Sequence, residues 1–202
     1  VSEADAHAAL LRLCAAIASR DASALRDAVV AAVRVAQPAA VEETILQTHL
    51  FVGFPDAINA LALWRERSGL PAPPALGEGC GSWEVRGRSV CEVVYGDNYP
   101  RLRRNVAALH PELDRWMVEG GYGRVLGRPG LSLTLRELCT VALLVVWDVP
   151  RQLHSHLRGA LNSGASVSAV GYAVEIGCGY ADVEAATRAR ALWSEVRPRA
   201  RR

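Results

Sequence analysis

The side chains best placed for chemistry lie in one stretch, TLRELCTVALLVVWDVPRQLHSHLRGALNSGAS, residues 134–166. Glu137 stands in the first turn of an apolar helical pattern and shares a face with Val141 and Leu144. A carboxyl on apolar surface is the kind of group that serves as a general acid near neutral pH. The same residue also completes the pattern Thr134-x-x-Glu137, a capping box, and on pattern alone that helix-start role is the favoured one. The next helix carries His154, His156 and Arg158 around a core face of Leu153, Leu157, Ala160 and Leu161. Imidazole moves protons at pH 7, and a guanidinium holds a carboxylate through two parallel bonds. His156 has Gly159, Ala160 and Ser163 on its side, small residues that leave room for a ligand, while His154 and Arg158 share the other edge. An interfacial histidine pair with a solvated arginine is the plain alternative. Two histidines two apart on a helix do not chelate one ion well, and no other ligand spacing supports a metal site. Earlier in the chain Glu43 and Gln47 lie one turn apart with His49 just beyond, and Glu175 is in a similar situation; a polar helix edge or an interface accounts for these.

Composition narrows the classes. The chain has 202 residues, half of them hydrophobic and 22% charged, with a net charge of +2, so it can bury a sizeable core. Neither a disordered chain nor a strongly basic nucleic-acid binder fits that balance. All 23 cationic side chains are arginine. Schiff-base, Walker-type and kinase lysines are therefore excluded. Cys14, Cys80, Cys91, Cys139 and Cys178 form no CxxC and no zinc-ligand spacing, and read mostly as buried reduced thiols. No apolar run has the length of a membrane span and no segment has a signal-peptide layout, so a soluble cytoplasmic protein is expected, with neither nucleic-acid nor membrane partners.

The elements that must position these residues are helical throughout. Helices are expected over residues 4–19, 23–35 and 40–52, with Gly53 ending the third and Pro55 opening a fourth. The Pro/Gly-rich segment 69–81 reads as a linker, followed by a short element near Val90–Tyr95. Two more helices are expected over 99–109 and 111–122, then the apolar helix 134–147, the amphipathic helix 150–163, and two closing helices over 166–178 and 182–195. LFVGFPDAINA at 50–60 and IGCGYADVEAA at 176–186 match at Gly53/Gly179, Phe54/Tyr180, Asp56/Asp182 and Ala60/Ala186. The expected layout is an all-α helical bundle with two pseudo-repeated hairpin units, 1–68 and 99–196, joined by 69–98 and followed by a basic, frayed tail at 197–202.

Three segments together resemble the carboxymuconolactone decarboxylase family, which includes the alkylhydroperoxidase D-like proteins: VEETILQTHLFVGFPDAINAL at 41–61, residues 112–131 ending in GRPGL, and RELCTVALLVVWDVPRQLHSHLRGALNSGAS at 136–166. The resemblance implies an all-α fold that assembles as trimers or hexamers. It places the family's site glutamate at Glu137 and its histidine at His156. The CxxC of the peroxidase branch falls on Val149 and Gln152, so that redox pair is absent. The decarboxylase branch needs no cysteine. The resemblance implies a cofactor-free lyase acting on a small carboxylated lactone, 4-carboxymuconolactone or a similar one. In that reading Glu137 and His156 share the acid and oxyanion-stabilising roles, and Arg158, His154 and Arg128 bind the substrate. Members of that branch often carry a glutamate where this chain has Arg124 and a histidine where it has Gln47 or Ala173, and the second junction reads GYAD in place of GFP. Two other readings stand beside it, a redox protein using cysteines outside a CxxC and a non-catalytic oligomeric scaffold.

Overall fold

The computed structural model describes residues 2–198, and all regular structure among them is helical. The sequence expectation for residues 199–202 of the basic tail lies outside the described residues. In chain order the elements are α1 (Glu3–Ser19), α2 (Ala22–Val35), α3 (Pro38–Ser68), α4 (Cys80–Tyr95), a 3-10 turn (Gly96–Asn98), α5 (Tyr99–Leu109), α6 (Pro111–Trp116), a π-helix (Met117–Leu126), α7 (Leu133–Trp147), α8 (Pro150–Asn162), α9 (Val167–Cys178) and α10 (Val183–Val196). The fold is the all-α helical bundle expected from the sequence.

Helix α7 occupies the centre because it is apolar on every side, and every residue from Leu135 to Val145 is buried. It packs on α1, α8 and α9, with α3 and α10 touching its ends. Gly177 on α9 permits a close approach, since a Cβ there would sit 2.6 Å from the Ala142 carbonyl oxygen. Truncating a side chain as enclosed as Leu143 or Leu144 to alanine costs about 2–5 kcal/mol in transfer and cavity terms.

Helix α3 is one helical run with a sharp break at Gly53, whose φ of 83° and ψ of 175° suit glycine alone. The chain folds back there. Glu42 of the first half accepts hydrogen bonds from Trp64 Nε1 (3.2 Å) and Arg65 Nη1 (2.6 Å) of the second. The matching junction at Gly179 is built differently, with right-handed φ of −70°, and Asp182 then caps α10 by accepting from the Ala185 amide. Asp56 at the other junction pairs with Arg20 instead.

Two elements differ from the sequence expectation. The short element near Val90 is a 16-residue helix that begins at Cys80. It lacks a clean apolar stripe because part of its contact face is glycine. Gly87 lies against the π-helix, where a Cβ would meet the Val118 carbonyl oxygen at 2.1 Å, and Gly123 lies against α4, where a Cβ would meet the Trp83 carbonyl oxygen at 1.9 Å. The expected helix 111–122 ends its α-form at Trp116 and continues as the π-helix to Leu126. That α4–π-helix pair encloses a second apolar cluster of Cys91, Val94, Tyr99, Val118, Tyr122 and Leu126.

Candidate functional site

Helix α7 starts earlier than the capping-box pattern implies. Ser132 is its N-cap and accepts from the Leu135 amide. Thr134 hydrogen-bonds through Oγ1 to the Ser163 carbonyl. Glu137 is thereby released from any capping role, which corrects the favoured pattern reading, and it lies one turn inside the helix, fully buried. From α8, His156 meets it, Nδ1 to Oε2 at 2.8 Å, with only 8% of the imidazole side chain exposed. Nδ1–H donating to the carboxylate leaves Nε2 as the nitrogen able to exchange a proton with another molecule. Glu137 Oε1 is buried with no hydrogen-bond partner among the described residues. A buried oxygen in that state costs about 1–3 kcal/mol, so the arrangement is not one that stability alone favours.

The surroundings are aromatic and apolar. Phe51, just before the α3 break, meets the His156 ring edge-on with centroids 5.8 Å apart. The Tyr95 and Tyr122 hydroxyls pair at 2.5 Å. Burial pushes both phenols well above their ordinary range, and the nearby Glu137 charge pushes the same way. Burial also raises the Cys91 thiol to about 12. Gly159, one turn along from His156, does not leave the space that the sequence implies. A Cβ there would lie 2.6 Å from Glu137 Oε2 and 2.7 Å from Val94 Cγ1, so the carboxylate and α4 already fill it.

The remaining candidates are not gathered at this pair. His154 and Arg158 lie on the exposed edge of α8, and Arg158 makes no ion pair among the described residues. Arg128, in the loop after the π-helix, is clamped by Glu43 from α3, with Nε 3.0 Å from both oxygens and Nη2 2.9 Å from Oε1. Glu43 also takes Arg136 Nη2 at 2.8 Å, while Gln47 accepts from Arg136 Nη1 and donates to its carbonyl. Glu43 and Gln47 are therefore buried network members and not the polar edge expected from their spacing. The signal for this was Arg136, a charge inside the most apolar helix, which demands a partner. Glu175 forms a surface pair with Arg190 at 2.7 Å.

A separate cleft of about 280 Å³ opens in the elbow of α3, bounded by His49, Phe54 and Ile58 and by Arg124 and Arg128. Among the described residues no three His, Cys, Asp or Glu side chains gather to hold a metal ion, and no helix is long and apolar enough to cross a membrane. The described cysteines other than Cys80, namely Cys14, Cys91, Cys139 and Cys178, are buried free thiols.

Comparison with known proteins adds two findings. The sequence profile of the Carboxymuconolactone decarboxylase family matches residues 111–195, a span that holds both Glu137 and His156. Peroxisomal protein 2 of Schizosaccharomyces pombe is 32% identical over 145 residues, covering 66% of this chain and 67% of that protein.

Proposed function

The chain belongs to the carboxymuconolactone decarboxylase family, and from that premise we propose that Glu137 and His156 form the acid–base pair of a cofactor-free lyase for a small carboxylated lactone. The observation that carries the proposal is the buried 2.8 Å contact between them, with the second carboxylate oxygen left unpartnered. In the proposed reaction the substrate's carboxylate carbon–carbon bond breaks and CO2 leaves. The electron pair passes through the ring alkene into the lactone carbonyl, giving a dienolate. His156 Nε2–H then protonates carbon, and the imidazole regains its proton from solvent. Glu137 holds Nδ1–H and stabilises the charged imidazolium while the proton is in place. Of the expected substrate-binding residues, Arg158 and His154 lie on the exposed edge of α8 and Arg128 lines the separate elbow cleft, so none of them is assigned to the pair's substrate. Assembly as a trimer or hexamer belongs to the same proposal, and the exposed apolar Leu109, Trp116 and Val85 support it. A cytoplasmic location is proposed as well, which a fluorescent fusion tests against the peroxisomal address in the relative's name.

Thiol chemistry fits less well. Burial holds Cys91 near 12 and Cys14 well above its ordinary value, so neither supplies a thiolate at neutral pH. One observation favours a structural reading of the pair, namely its enclosure, with Glu137 wholly buried and His156 nearly so. The deciding experiment follows CO2 release from 4-carboxymuconolactone by wild type, Glu137→Gln and His156→Ala. The proposal expects turnover by wild type and a loss of about 100-fold or more in each variant with the fold intact. Variants that lose folding and activity together point to the structural reading.

A further inference from the structure

The cleft in the α3 elbow has the chemistry of a ligand site in its own right, and neither Glu137 nor His156 lines it. Its walls are apolar, with Leu46 from the first half of α3 and Ile58 and Leu61 from the second. Its two charged groups, Arg124 and Arg128, are of one sign. Arg124 makes no ion pair among the described residues, and its guanidinium lies over the Trp83 ring at 5.1 Å, which fixes it in place. Arg128 is fixed by Glu43 through Nε and Nη2, so Nη1 takes no part in that clamp. His49 Nδ1–H donates to the Leu46 carbonyl at 2.5 Å, which leaves Nε2 at the cleft as a hydrogen-bond acceptor.

The charges around the cleft do not balance. Glu43 is shared between Arg128 and Arg136. Glu78, whose charge also reaches Arg128, is committed to Arg86 at 2.6 Å. Two carboxylates thus face the guanidiniums of Arg86, Arg124, Arg128 and Arg136, and an excess of two positive charges remains beside an apolar recess. A positive end on a concave apolar wall selects a ligand with one anionic head and a hydrocarbon body. The volume of about 280 Å³ suits a small one.

We propose that this elbow cleft is a binding site for a small carboxylate with an apolar body, its head on Arg124 and Arg128 and its body against Leu46, Ile58 and Leu61. The site does not depend on the lyase reading. Binding by the Glu137→Gln variant equal to that of wild type separates the two, because it leaves catalysis and cleft to fail independently.

Isothermal calorimetry on the full chain tests it with benzoate, hexanoate, benzamide and inorganic phosphate as probes. Benzoate and hexanoate distinguish an aromatic from an aliphatic source of the same chemistry. The expected result is saturable binding of at least one of them at one site per chain, none for benzamide, and weaker binding for phosphate. Arg124→Gln weakens the carboxylate roughly tenfold, the effect of one lost charge-assisted bond. Ile58→Asp, at a side chain already 59% exposed and so tolerant of change, abolishes binding. The proposal is overturned if no carboxylate saturates, if benzamide or phosphate binds as well as benzoate, or if both variants bind like wild type. It is also overturned if sedimentation shows a second copy of the chain covering the cleft in wild type and released by Ile58→Asp.

Discussion

Glu43 and Glu137 are both buried carboxylates, yet they are satisfied in opposite ways. Glu43 accepts from two guanidiniums, Arg128 and Arg136, and both of its oxygens are engaged. Gly130, in a left-handed turn with φ of 90°, folds the loop after the π-helix against its side chain. Glu137 has one imidazole on one oxygen and nothing on the other. The first arrangement ties the loop after the π-helix to α3 and α7. The second leaves a carboxylate–imidazole pair in apolar surroundings with one carboxylate oxygen unbonded. A buried charge that is fully bonded does structural work, whereas one left short of partners is where function is to be sought.

The largest effect should come from breaking the saturated site. Glu43→Ala leaves two cations facing each other, Arg136 being fully buried, and should cost about 3–5 kcal/mol in chemical denaturation. A cost under about 1 kcal/mol contradicts its structural role. A smaller effect comes from Gly159→Ala, whose Cβ has no space beside Glu137 Oε2 and Val94. It should cost about 1–3 kcal/mol and, in contrast to Glu43→Ala, displace the His156 contact, read as a shifted imidazole resonance in NMR. Gly123→Ala should cost more than Gly159→Ala, because its Cβ would meet the Trp83 backbone carbonyl at 1.9 Å and prise α4 from the π-helix, without moving that resonance as far.

A further expected effect is alkaline and grows with pH. Cys91, Tyr95 and Tyr122, which surround the second site, are all raised by burial. Raised acids stay protonated in the fold while the unfolded chain ionises, so stability is full below the unfolded values and falls as pH rises past them. For Cys91 the window runs from its ordinary 9.0 to about 12. The loss there is at most about 1.4 kcal/mol per pH unit. Cys91→Ala should flatten denaturation midpoints measured between pH 9 and 11. An unchanged slope removes Cys91 from the account.

The sequence carried the bundle well because helical periodicity, glycine breaks and caps are local signals. α7 and α8 were legible from apolar spacing, and the α3 fold-back from Gly53 and Pro55. α4 was not, because glycines that read as breakers are the residues that let it touch the π-helix. Glu137 and His156 stood out as candidates by residue type and position, and the family resemblance joined them as one site. The local pattern pointed to capping and lost to Ser132, a better-placed cap two residues upstream of Thr134. The Glu43–Arg136 tie joins residues 93 apart in sequence, and the cleft joins His49 to Arg124 across the α3 elbow. Pairings of that kind depend on tertiary packing, so no local pattern records them.

The most direct test of the contrast is the unfolding free energy of Glu43→Gln measured beside that of Glu137→Gln. Glutamine keeps an acceptor for His156 Nδ1–H but removes the charge that Arg128 and Arg136 share. The account predicts that Glu137→Gln stays within about 1 kcal/mol of wild type, while Glu43→Gln loses about 3 kcal/mol or more. Equal losses, or a larger loss at Glu137, would show that the Glu137–His156 pair is a brace of the fold and not a site held ready for chemistry.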